Sequence, residues 1–157
     1  MTERDTPGVI APPPLLFMLA LAAGLLVQAY WPLVPVPADL RPVAAGVGGF
    51  LIAVALVVLI AAERTLQRAG TPVEPWKPTT ALVTAGPYAL SRNPIYVSLL
   101  AAFLGVALIL DNGWLLLAAP GLTLALAAGV IRREERYLAR RFPGEYAAYR
   151  SRVRRWL

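Results

Sequence analysis

The chain has 157 residues, enough for one domain, and 58% of them are hydrophobic, with a mean hydropathy of +0.61. Soluble chains are about 45–50% apolar, so the excess points to a multi-pass membrane protein. There is no Cys and no His, which excludes a disulfide framework, a thiol nucleophile, an imidazole base and the usual zinc ligands. No metal site is expected, and any chemistry must run on carboxylate, Tyr, Arg, backbone groups or a bound cofactor.

The N-terminus opens with the mixed charges Glu3, Arg4 and Asp5 and then Pro12-Pro13-Pro14. That is not the pattern of a secretory leader, so the first apolar segment is expected to be a retained span. Four apolar segments follow, at about 15–31, 43–62, 95–110 and 114–131. A membrane-crossing helix needs about 17–25 residues, and the third segment is short by that measure. The turn Asp111-Asn112-Gly113 folds the third against the fourth as a helical hairpin. Trp31 and Trp114 fall at segment ends, where interfacial rings are favoured. The expected architecture is all-α: a single domain, 1–157, as a four-span membrane bundle.

Charge sets the orientation. One Lys/Arg precedes the first span and one lies between the first and second. Four lie between the second and third, none in the hairpin turn, and nine follow the fourth. With an even number of spans, the heavy segments and both termini are expected on the cytoplasmic side of the cell membrane. The net charge of +6 is then a membrane-surface signal, and no nucleic-acid partner is expected. Two soluble pieces remain on that side. One is the Pro- and Gly-rich loop 63–93. The other is the tail 132–157, where Leu138, Phe142, Tyr146 and Tyr149 make one helical stripe interrupted at Phe142-Pro143-Gly144. The tail is expected as two short amphipathic helices on the membrane surface.

Gly86-Pro87-Tyr88-Ala89-Leu90-Ser91-Arg92-Asn93-Pro94-Ile95-Tyr96 is the polar lip of the third span. Asn93 suits an N-cap and Pro94 the first helical position. The same helix start is a natural anion site, and Arg92 adds a fork that grips carboxylates. Gly86 either turns the chain or lets backbone approach a ligand, and Tyr88 and Tyr96 either anchor at the interface or line a pocket. Glu134 and Glu135 point about 100° apart on a helix. They either balance Arg132, Arg133 and Arg136 or hold a ligand's hydroxyls or ammonium. Tyr146 and Tyr149 read as packing of the tail, and Arg150 and Arg155 as lipid-phosphate contacts. Together these groups suit a ligand with a carboxylate, an amine, hydroxyls and an aromatic base.

Gly-Pro-Tyr-x-x-Ser-Arg-Asn-Pro-x-Tyr (Gly86 to Tyr96), then Glu134-Glu135-x-x-Leu138-x-x-x-Phe142, Tyr146-x-x-Tyr149 and Val153-x-Arg155, resembles the signature of the isoprenylcysteine carboxyl methyltransferase and phospholipid methyltransferase superfamily. The resemblance covers about the last 90 residues. It implies a membrane methyltransferase that converts S-adenosylmethionine to S-adenosylhomocysteine and acts on a lipophilic acceptor. It assigns Gly86, Tyr88, Arg92, Asn93, Pro94, Tyr96, Glu134 and Glu135 to the cofactor. Tyr146, Tyr149, Arg150 and Arg155 go to the acceptor, and Arg92, Glu135 and Arg155 lie nearest the chemistry. Asn93 stands where prenylcysteine enzymes usually have His, and Asn does not titrate. Carboxylate O-methylation is the first expectation and phospholipid or amine N-methylation the second. A non-catalytic membrane module, or a nicotinamide-dependent reductase on a related core, is the expectation from another class.

Overall fold

The computed structural model describes residues 6–157, which contain helices and turns and no strand. The helices are α1 (Pro13–Tyr30), α2 (Arg41–Arg68), α3 (Pro94–Ile109), α4 (Gly113–Leu126), α5 (Arg132–Arg141) and α6 (Pro143–Arg152). A 3-10 turn, Gly86–Ala89, precedes α3, and a π turn, Ala127–Ile131, joins α4 to α5. Arg4 of the charge count lies outside the described residues.

Three described helical runs are long and apolar enough to cross a membrane: α1, α2 and the continuous Gly113–Arg141. The remaining expected span, the third in chain order, is α3, which has 16 residues. It rises about 24 Å at 1.5 Å per residue, short of a hydrocarbon core of about 30 Å. Met18, Leu26, Phe50 and Val57 on α1 and α2 are exposed, which suits a lipid solvent. Phe103, Leu115, Leu126 and Ile131 fill the interior.

α2 corrects the sequence reading. It runs to Arg68 rather than ending at 62, so Glu63, Arg64 and Arg68 are helical and the loop begins at residue 69. Glu, Arg, Leu and Gln are good helix formers, and the helix continues until Gly70, whose φ of +68° turns the chain. α2 and α3 approach closely at Gly48 and Gly105. A Cβ on Gly48 would lie 2.5 Å from the Gly105 carbonyl oxygen, and one on Gly105 would lie 2.6 Å from that of Gly48. Only glycine permits that approach.

The two ends of the bundle differ. At one end the Asp111 carboxylate accepts from the Val36 N–H (3.0 Å) and pairs with Arg41 Nε (2.9 Å). Asn112 caps α4 through the Leu115 N–H (3.1 Å), and Trp114 Nε1 donates to the Trp31 carbonyl (2.6 Å). The opposite end carries the 69–93 loop, α5 and α6. α5 and α6 are the two short tail helices expected, broken at Phe142. Their stripe of Leu138, Phe142, Tyr146 and Tyr149 packs on Ala62, Leu66 and Tyr88, so it faces protein where the sequence reading put a lipid surface. Residues before α1 lie along the π turn: Ile10 N–H donates to the Gly129 carbonyl (3.1 Å) and Arg133 to that of Gly8 (2.9 Å).

Candidate active site

A cavity of about 120 Å³ lies between the 71–83 loop, the start of α3 and the facing sides of α5 and α6. Tyr88, Arg92, Asn93, Pro94, Tyr96, Glu134, Glu135, Tyr146 and Tyr149 all line it, so both sequence motifs meet there. Gly86, Arg150 and Arg155 do not. Gly86 has φ +59°, and a Cβ on it would lie 3.1 Å from Thr65 Oγ1. A left-handed turn packed against α2 therefore accounts for the glycine.

The two glutamates diverge as adjacent helical residues must. Glu135 binds two arginines. Arg92 Nη1 lies 3.1 Å from one carboxylate oxygen, and Arg155 grips the carboxylate through Nε (3.1 Å) and Nη2 (2.6 Å). Arg92 also donates to the Tyr146 hydroxyl (3.2 Å). Glu134 takes a different partner, accepting from the Tyr96 hydroxyl at 2.7 Å. The carboxylates thus pair with distant elements, and the alternative of a solvated face balanced by neighbouring arginines is not what forms. No described cation pairs with Glu134, and Arg92 Nε is buried without an acceptor.

Asn93 occupies the N-cap position of α3 but does not cap it with its side chain. Its backbone carbonyl accepts the first helical bonds, from Tyr96 and Val97, while Nδ2 donates to the Arg155 carbonyl (3.0 Å). Ser91 Oγ reaches the same carbonyl (3.3 Å), and Arg92 N–H donates to the Arg154 carbonyl (3.0 Å). The segment 91–93 is therefore stitched to the end of the chain. A local cap was expected; the longer-range partner won because the tail carbonyls arrive there without donors of their own.

Tyr149 donates to the Tyr88 carbonyl at 2.6 Å and stands edge-on to Tyr146. Burial pushes the Tyr88 phenol well above its ordinary pKa, with the Glu134 charge adding to the effect. Burial does the same for Tyr149, against the pull of Arg92. Both stay neutral hydrogen-bond donors at physiological pH.

The sequence reading missed part of the wall. Tyr137 lines the cavity, and its hydroxyl accepts from the Thr79 N–H (3.1 Å). Its position three residues after Glu134 puts it on the same helical face, a signal that was available. The loop is also closed on itself: Thr80 N–H donates to Thr71 Oγ1 (3.0 Å), and Thr80 Oγ1 donates to the Gly70 carbonyl (2.8 Å). Among the described residues there is no cluster of three or more metal-ligating side chains.

The cobalt-zinc-cadmium resistance protein CzcN of Cupriavidus metallidurans is 43% identical over 75 residues, 46% of this chain and 33% of that protein. This chain therefore matches about a third of the length of that relative. No solved structure matches. Residues 43–145 match the phospholipid methyltransferase family, a stretch that runs from the start of α2 to the first turn of α6 and holds most of the cavity wall. With that match over most of its length, the chain belongs to the phospholipid methyltransferase family.

Proposed function

We propose that the protein is an S-adenosylmethionine-dependent methyltransferase of the cytoplasmic membrane, with both termini cytoplasmic, acting on a lipophilic acceptor. One observation carries this reading. The cavity offers a carboxylate without a described counter-cation, Glu134, beside a buried guanidinium N–H without an acceptor, Arg92 Nε. A zwitterion with an ammonium and a carboxylate completes both, and the amino-acid end of S-adenosylmethionine is one. The tyrosines and the apolar loop residues Leu82 and Val83 offer ring and aliphatic surface for a base. Bound there, the cofactor supplies an electrophilic methyl group.

The residues of this chain position rather than titrate. Asn93 moves no proton; it ties the α3 start to the tail. Arg92 and Glu135 fix each other and hold the cavity wall. Carboxylate O-methylation needs no base and is the first reading. The match to the phospholipid methyltransferase family favours a second, N-methylation of an amine or phospholipid, with the amine proton lost to water.

Titration calorimetry of the detergent-solubilised protein with S-adenosylmethionine and S-adenosylhomocysteine tests the proposal. Both ligands should bind, and Arg92→Ala and Glu134→Gln should each weaken binding at least tenfold with folding intact. No binding by the unmodified protein refutes it. Binding of a nicotinamide dinucleotide instead would assign the cavity to a reductase.

A further inference from the structure

A second cleft, about 540 Å³, lies on the far side of α5, sharing only Glu135 and Tyr146 with the first cavity. Arg132, Arg136, Arg150 and Arg155 line it. We propose that this cleft is a binding site for a phosphate-bearing anion, supplied by the headgroup of an anionic membrane lipid. The proposal does not depend on the cofactor reading.

Charge balance is the first argument. Glu135 is the only carboxylate in the lining, and Arg155 and Arg92 already hold both of its oxygens. Arg132 and Arg150 are exposed and make no side-chain hydrogen bond or ion pair with any described residue. Arg136 spends its Nε on the Arg132 carbonyl, 3.2 Å away. Three guanidiniums thus converge on one concave space, and no anion among the described residues meets them. Like charges drawn together in this way repel, and an anion relieves that repulsion. Guanidinium forks match phosphate oxygens in pairs, a geometry that ammonium groups lack.

Position is the second argument. The cleft runs from Ala128, in the π turn that ends the apolar helix, outward to Ala139 and Arg150 on the tail helices. Its floor therefore begins where the apolar run stops. Lipid phosphates lie at that level, and basic residues near such a surface gain about 1 kcal/mol each. Free phosphate shares the chemistry but has no reason to seek that level.

Native mass spectrometry of the full chain in detergent reads the occupant. The probes are phosphatidylglycerol, phosphatidylcholine and inorganic phosphate. The test variant is Arg132→Gln with Arg150→Gln. The control is Arg152→Gln with Arg154→Gln, which removes the same charge from exposed positions outside the cleft. The unmodified protein and the control should retain phosphatidylglycerol at least tenfold better than phosphatidylcholine, and the cleft variant should lose most of that preference. Failure of millimolar inorganic phosphate to displace the lipid supports the lipid as occupant; displacement supports the phosphate group and overturns the lipid source. Equal losses in cleft and control variants, or no preference in the unmodified protein, overturn the proposal. If the double variant does not fold, Arg136→Gln alone serves, with at least a threefold weakening expected and no change refuting it.

Discussion

Removing the charge of Glu135 should cost more stability than any other single change in the cavity wall. The Glu135 side chain is 13% exposed and that of Arg92 is 9% exposed. Glu135→Gln leaves the Arg92 guanidinium buried, with the Tyr146 hydroxyl and a neutral amide for company. Breaking a buried pair from one side costs about 3–5 kcal/mol. Arg155 is 35% exposed and regains water when released, which places the loss near the lower end, about 3 kcal/mol. For a chain of this size each kcal/mol moves the midpoint by about 2–4 °C, so a fall of roughly 6–12 °C is expected. Thermal unfolding in detergent, followed by tryptophan fluorescence, measures it. The Arg92→Met and Glu135→Leu double variant should recover about 1–3 kcal/mol relative to the sum of the single losses, because an apolar pair leaves no stranded charge. A Glu135→Gln midpoint within 2 °C (roughly 0.5–1 kcal/mol) of the unmodified protein, or strictly additive single losses, would refute the reasoning.

Asn93→Asp replaces the Nδ2 donor by a carboxylate facing the Arg155 carbonyl. A cost of about 1–3 kcal/mol is expected, with faster tryptic cleavage at Arg152 and Arg154 as the chain end loosens; an unchanged cleavage rate would show that the stitch does not hold the tail. Tyr149 and Tyr88 have raised pKa values in the folded chain. Their neutral forms are favoured by folding, so the contribution is fully present below about pH 10, the unfolded value, and is lost as pH rises beyond it. The tyrosine contribution should be constant from neutral pH to about 9.5 and fall above about pH 10. Tyr149→Phe should flatten that fall and cost about 1 kcal/mol at neutral pH through the lost bond to Tyr88; an unchanged alkaline slope would contradict it.

Apolar runs and prolines made much of this fold readable. Pro13 and Pro94 start helices within a few residues of the expected positions, since a fixed φ and a missing N–H suit a first turn. The convergence of Arg92 with Glu135 was also legible, because each sits at the polar end of an apolar run and a hairpin brings those ends together. The end of α2 was not, because charged residues after an apolar stretch look like loop while their helix propensity continues the helix. Asn93 was misjudged for the opposite reason. Its local preference for capping is real, but the Arg155 carbonyl, 62 residues away in the chain, competes for the same side chain. The glycine crossing at Gly48 and Gly105 leaves no periodic trace among so many small residues.

The π turn bears on how the chain tolerates changes in length. A π turn holds one residue more than the α-helix it interrupts, so every residue after it keeps the phase of a helix one residue shorter. Losing a single residue from 127–131 would convert the π turn to α and leave Glu134 and Glu135 aimed as they are. Losing a second residue before the pair would instead turn both carboxylates by about 100°, away from Tyr96 and Arg92. The segment between the apolar helix and the acidic pair is thus a built-in slack joint: one residue of shortening is absorbed, and no more.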